Sequence, residues 1–210
     1  MSDDHEKLMP LREIFEQGTW QDKLHGGVGM DDLFENIVIK RTFQMPNSET
    51  FNIPAIKDFI QNNIKKEWYI ADPFARNNKI ASITNDIDVD TEAFFHMDAL
   101  EFLKSLHTNS IDCVLYDPPY SPRQIKEVYT RLDKSVSWTD TNASFWSNQK
   151  KEISRIVKKG GVVFSFGWNS NGIGKKYGFA TRKILIVNHG GQHNDTICTL
   201  EEKVNDYNGA

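Results

Sequence analysis

From residue 36 onward, short apolar runs alternate with segments of helical spacing. NIVIKRTF (36–43) reads as a strand. IPAIKDFIQNNIK (53–65) carries apolar residues at 53, 56, 59, 60 and 64, the spacing of a helix, with Pro54 placed where the first turn tolerates it. EWYIADP (67–73) and KIASITNDI (79–87) are predicted strands that end on Asp72-Pro73 and Asn85-Asp86. MDALEFLKSLH (97–107) returns to helical spacing, with apolar residues at 97, 100, 103 and 106. IDCVLYDPPY (111–120) is the next strand, followed by a helix over IKEVYTRL (125–132), a polar stretch, and a helix near FWSNQKKEISRIVK (145–158). GGVVFSFGW (160–168) is a strand introduced by a glycine pair that ends the helix before it. KILIVNHGGQHNDTICTLEEKV (183–204) closes the chain as two strands around Gly190-Gly191.

Strand–helix alternation with a terminal hairpin predicts an α/β fold: a doubly wound, mostly parallel sheet with a C-terminal antiparallel hairpin. The 210 residues are expected to form a single domain, with residues 1–36, polar and bearing HGGVG at 25–29, as an N-terminal arm. No run approaches the roughly 18 apolar residues of a membrane span. The acidic start MSDDHEKLMPLREIFEQG lacks the plan of a signal peptide. Cys113 and Cys198 sit inside apolar runs and read as buried thiols of a reducing cytoplasm. His189 and His193 are four apart but straddle a Gly-Gly turn, and no metal set is expected.

Charge adds a polarity to this picture. The net charge is −4, yet residues from 121 onward hold 14 Lys and Arg against 8 Asp and Glu, and the first 120 hold 11 against 21. The basic pairs Lys150-Lys151, Lys158-Lys159, Lys175-Lys176 and Arg182-Lys183 read either as solvated faces or as one positive face for a phosphate backbone.

Ligands of such sheets bind at the carboxyl ends of strands, and three successive strands here end in acids: Asp72, Asp86 and Asp117. The last belongs to VLYDPPYSP (114–122), where two prolines stop an apolar strand. The amine on a nucleobase ring is a poor nucleophile because its lone pair is delocalised. Two acceptors holding both amino hydrogens free that pair. Asp117 supplies one acceptor and the Pro118 carbonyl the other, both fixed by proline geometry. Tyr120 can stack on a base lifted from its helix, worth about 1–3 kcal/mol.

ADPFARN (71–77), TNDID (84–88), FHMDALEFL (95–103) and YDPPY (116–120) occur in an order that resembles the amino-methyltransferases, and most closely the small adenine-N6 DNA methyltransferases of bacterial and phage type. The resemblance spans about residues 36–200 and implies a Rossmann-like class I methyltransferase fold with S-adenosylmethionine as cofactor. It assigns Asp117, Pro118, Pro119 and Tyr120 to catalysis. It assigns Asp72, Pro73, Phe74 and Ala75 to the cofactor's methionine part, Asp86 to its ribose, and Met97, Asp98 and Ala99 to its adenine. Phe51 and Ile53 resemble the lining of the methionine pocket. The family's first motif carries glycines after Asp-Pro-Phe, and here the turn is Ala75-Arg76-Asn77-Asn78. Asn77 or Asn78 is the expected left-handed residue, and Arg76 is within reach of the cofactor carboxylate.

The implied substrate is DNA, duplex or single-stranded. RNA, another exocyclic amine, or a non-catalytic binding role are the alternatives. Trp138, Lys175 and Lys176 are candidate nucleic-acid contacts, the last two on the Gly-rich loop GWNSNGIGKK (167–176), otherwise a flexible connection. About 40 residues separate DPPY from the next strand, too few for a separate target-recognition domain, so sequence readout is expected to be short and a homodimer or partner subunit to add grip. The expected location is the cytoplasm, at a nucleoid or in a phage-infected host.

Overall fold

The computed structural model describes residues 37–131 and 143–207. The N-terminal arm and Trp138 lie outside these. Strands β1 (Val38–Phe43), β2 (Ile70–Asp72), β3 (Ile83–Thr84), β4 (Ile111–Tyr116), β5 (Val157–Gly167), β6 (Phe179–Asn188) and β7 (Thr196–Lys203) form one sheet in the order β1-β6-β7-β5-β4-β2-β3. Helices α1 (Pro54–Gln61), α2 (Ala99–Ser105), α3 (Pro122–Arg131) and α4 (Ala143–Ile156) connect them. Among the described strands β7 alone is antiparallel to its neighbours, β5 and β6, and the pairs β1·β6, β2·β3, β2·β4 and β4·β5 are parallel. The fold is thus the expected Rossmann-like, mostly parallel α/β sheet with an antiparallel β6–β7 pair at the C-terminal end.

β4 shows why both faces are covered. Five of its six residues are buried, and from Cys113 onward they alternate between two cores. Val114 and Tyr116 join Phe102 and Leu103 of α2 and Ile153 and Ile156 of α4. Cys113 and Leu115 join Ile56 and Ile60 of α1, with Phe51, Phe164 and Leu185. Both cysteines are free and buried. A strand covered on both faces has no room for polar alternation, so it reads as a continuous apolar run.

Local chemistry sets the helix starts. Pro54 opens α1 at the position where a missing N–H costs nothing, and Ile56 and Ile60 stack one turn apart beneath it. Asp98 caps α2, its carboxylate accepting from the amides of Leu100 (2.8 Å) and Glu101 (3.3 Å). One expected boundary moves. The pair Gly160-Gly161 lies inside β5, because the strand begins directly at Val157 where α4 ends. Gly160, at φ 77°, instead sits in a register shift against β4 between Ile111 and Cys113.

The Gly-rich connection after β5 is also not loose. The buried carboxylate of Glu201 on β7 accepts from the amides of Ile173 (2.5 Å) and Gly174 (3.0 Å), and the Lys150 ammonium donates to the Gly172 carbonyl. Ile173 and Tyr177 are buried in the α4-side core, and Lys175–Tyr177 forms a single 3-10 turn. Three members of the basic pairs are engaged within the fold. Lys158 meets Asp112 (2.7 Å), Arg182 meets Glu202 (2.9 Å), and Lys183 donates to Asn63 (2.5 Å). No helix among the described residues is long and apolar enough to cross a membrane.

Candidate active site

After β2 the chain runs outward to β3, then returns through α2 to β4 on the other side of β2. The carboxyl ends of β2 and β4 therefore flank the point where strand order reverses, the place such sheets reserve for ligands. A cleft of about 890 Å³ opens there. It is lined by Ile53, Pro73, Phe74, Asp86, Asp98, Ala99, Asp117, Pro118, Pro119 and Tyr120, so the turns after β2, β3 and β4 and the start of α2 are brought together. Helix α3 covers one side with Gln124, Glu127, Tyr129 and Arg131.

Other assigned residues stand elsewhere. Phe51 is part of the core, its ring 4.9 Å from that of Phe166, and lines a recess of about 400 Å³ together with Ala75. Met97 is partly buried against the α4-side core. Asp72 is fully buried behind the cleft. Lys175 and Lys176 do not line the cleft; Lys176 lies 5.8 Å over the Tyr177 ring.

Asp72 is the most unusual group. One of its oxygens accepts from the Phe74 amide (3.0 Å), and the other, Oδ2, is buried without a hydrogen-bond partner among the described residues. Burial pushes its pKa well above the ordinary carboxylate range, reinforced by the nearby charges of Asp117 and Asp86. Asp86 is committed at both oxygens: it accepts from the amides of Arg76 (3.0 Å) and Asp88 (2.9 Å), and each oxygen retains a further lone pair.

The glycine-free turn is solved differently from expectation. The left-handed residue is Arg76, at φ 49°, not Asn77 or Asn78. Its amide is held by Asp86, and its guanidinium donates to the Ser48 carbonyl (2.7 Å) rather than standing free. Tertiary hydrogen bonds thus stabilise a conformation that local propensity assigns to glycine or asparagine.

At the end of β4 the Tyr120 hydroxyl donates to Asp117 Oδ1. Burial raises the pKa of Asp117, while hydrogen bonds from Tyr120 and Thr50 and the charge of Arg76 pull it back. The Tyr120 amide donates to Gln124 (2.6 Å), and its ring meets Trp168 edge-on at 5.6 Å. The Pro119 carbonyl accepts from the Trp146 indole (3.1 Å), which pins the turn to α4.

Three residues that organise this site escaped the sequence reading. Asn85 is fully buried; its amide donates to the carbonyls of Pro73 and Met97 (both 3.1 Å), and its oxygen accepts from the Met97 amide (3.1 Å). It ties the turn after β2 to the segment before α2, and a polar residue just beyond a strand core was its only signal. Thr50 and Gln124 carried none, since each matters only through its contact with the DPPY turn. Asn85→Ala strands three backbone groups, and urea unfolding is expected to show a loss of about 1–3 kcal/mol.

The cleft is acidic: Asp86, Asp88, Asp90, Asp98, Asp117 and Glu127 face it against Arg76 and Arg131. Such a field favours a cationic ligand over a polyanion. Among the described residues, no group of three His, Cys, Asp or Glu is placed to hold a metal ion.

No protein-family model matches the chain, and no curated protein sequence matches it. Among solved structures it is similar to TrmN from Thermus thermophilus, with a TM-score of 0.49 and 15% identity, over 72% of this chain and 49% of that one. It is also similar to a second Thermus thermophilus protein, provisionally named a DNA modification methylase, with a TM-score of 0.35 and 17% identity, over 54% of this chain and 55% of that one. The chain thus spans about half the length of each of these structures.

Proposed function

We propose that the protein transfers a methyl group from S-adenosylmethionine to the exocyclic N6 amine of adenine in DNA. The observation that carries this reading is the Asp117-Pro118-Pro119-Tyr120 turn. It stands at the end of β4, beside the strand-order reversal, with Asp117 and Pro118 both lining an acidic cleft.

The residues suit the cofactor. Asp72 presents a buried carboxyl oxygen without a partner among the described residues, next to the charges of Asp86 and Asp117, and an ammonium group would complete it. Pro73, Phe74 and Ile53 form the cleft wall on that side, with Asp86 and Asp98 along it. S-adenosylmethionine supplies the methyl group on a positively charged sulfur, which leaves as a neutral thioether when its bond to the methyl carbon breaks.

Asp117 and the Pro118 carbonyl accept the two N6 hydrogens and so localise the nitrogen lone pair. As the N–C bond forms, one N6 hydrogen leaves as a proton, which Asp117 is placed to take. Because Tyr120 donates to Asp117 Oδ1, the amine must share or displace that bond. Positioning, rather than activation of the donor, is the protein's main contribution.

Methyl transfer from labelled S-adenosylmethionine to adenine-containing duplex DNA, single-stranded DNA and RNA tests the reading. Labelled N6-methyladenine in DNA is expected. Label found mainly in RNA would replace DNA by the alternative substrate. Cofactor binding without transfer to any of the three would leave a binding protein.

A further inference from the structure

Among the described residues, Arg76 and Asn109 are the non-glycines with positive φ, at 49° and 51°. Asparagine is tolerated there, whereas a long side chain is strained, so Arg76 is the outlier of the pair. A strained residue at a candidate site points to a role for its side chain. The amide bond to Asp86 does not supply that role, because a glycine at position 76 would make it equally.

What the arginine adds is its guanidinium, which donates to the Ser48 carbonyl (2.7 Å) in the segment between β1 and α1. Two residues on, the Thr50 side chain hydrogen-bonds Asp117 and Tyr120. Ser48, Thr50, Arg76 and Asp117 all line the large cleft. A chain of contacts thus runs from the turn after β2, through residues 48–50, to the acid at the end of β4.

The same guanidinium is the cation that acts on Asp117 among the described residues. The other titratable groups around that acid are Asp72 at the end of β2, Tyr120 in its own turn and the Cys198 thiol on β7, whose pKa burial pushes well up. None of these offsets the burial of a carboxylate. Arg131 also lines the cleft but meets Asp88 (3.4 Å), and both ring nitrogens of His189 are engaged, by the Gln44 carbonyl and the Thr196 hydroxyl (both 2.8 Å). A guanidinium stays charged at every working pH, so its effect on Asp117 is constant.

We propose that Arg76 is a positioning residue for Asp117, holding Ser48 so that Thr50 stays against the acid, and setting a fixed positive charge beside it. The assignment rests on the methyl-transfer reading, in which Asp117 accepts the N6 hydrogens. It also accounts for an arginine in a turn whose backbone suits glycine.

The side-chain carboxyl carbon of Asp117, assigned by its loss in Asp117→Asn, can be titrated by NMR on the isotope-labelled chain without turnover. Arg76→Gly removes the side chain and keeps both the left-handed backbone and the amide bond to Asp86. Its melting temperature should stay close to that of the wild type. Its Asp117 carboxyl should titrate at higher pH, because the opposing charge is gone. Arg76→Lys, which keeps the charge, should restore part of that shift. Thr50→Val should move the titration the same way, and the double variant by less than the two shifts summed. The single-turnover rate of methyl transfer should fall by roughly 10- to 100-fold in Arg76→Gly, the cost of a small misplacement at the reacting centre. Arg76→Asn, also tolerated in the left-handed region, carries the test if the glycine variant fails to fold. An unmoved Asp117 titration in the truncated variants overturns the assignment. So does weaker S-adenosylmethionine binding with that titration unmoved, which would make Arg76 a cofactor contact. Strictly additive shifts would overturn the route through Ser48. If the titration moves but no polynucleotide is methylated, the methyl-transfer reading fails while the coupling of Arg76 to Asp117 stands.

Discussion

Asp117→Ala is expected to lower the rate of methyl transfer by roughly 10²–10⁴-fold, the range associated with a positioned proton acceptor. Cofactor affinity should change only slightly, because Asp117 is assigned to the acceptor amine. Asp117→Asn keeps an acceptor oxygen and loses the charge, so its rate should fall between the two. The pH profile adds an independent signature. Asp117 must be ionised to accept the N6 hydrogens, and burial raises its pKa above the ordinary carboxylate range. Activity should therefore fall toward acid at a higher pH than an exposed aspartate, of pKa about 3.9, would give. Tyr120→Phe removes a hydrogen bond that lowers that pKa, so the acid limb should move to still higher pH. Single-turnover rates across pH for the wild type and Tyr120→Phe would read this out. Full activity in Asp117→Ala would end the proposed mechanism.

Asp72→Asn is expected to strengthen the fold and weaken cofactor binding together. The folded-state pKa of Asp72 is raised well above its unfolded value, so folding favours its protonated form. The stability this provides is fully present below the unfolded pKa and is lost as pH rises through the folded pKa. An asparagine keeps the bond from the Phe74 amide and carries no charge at any pH. The variant should therefore melt higher than wild type at alkaline pH, with the gap closing as pH falls. Its affinity for S-adenosylmethionine should drop at least tenfold, because an acid able to ionise against the ligand's ammonium is replaced by a neutral amide. Melting curves with and without cofactor at several pH values measure both effects. A melting difference independent of pH would mean that the buried charge is not its source.

These two acids were legible in the sequence for different reasons. Asp117 was marked by the prolines after it, which fix backbone geometry through covalent structure and so act before any tertiary contact forms. Asp72 was marked only by ending an apolar strand. That its Oδ2 lacks a partner among the described residues depends on what packs around β2, and that is a long-range fact. The same division explains the turn after Phe74. Local propensity pointed to Asn77 or Asn78, yet the left-handed conformation fell on Arg76, because Asp86 and Ser48 hold that residue from distant parts of the chain. Lys175 and Lys176 were singled out by charge and by a glycine-rich setting. Glu201 draws that loop onto the sheet, and they end outside the cleft.

Periodicity by itself determined the α/β class, the succession of strands and helices and the terminal hairpin, because buried strands and amphipathic helices must repeat their apolar residues at different spacings. It also placed three acids at strand ends. Only the tertiary structure decided that β4 returns beside β2, which brings those acids to one cleft. The same packing brought Arg76 onto the Ser48 carbonyl and Thr50 onto Asp117, from three separate parts of the chain. Strand order and cross-strand register are set by contacts between residues far apart in the chain, and no local pattern encodes them.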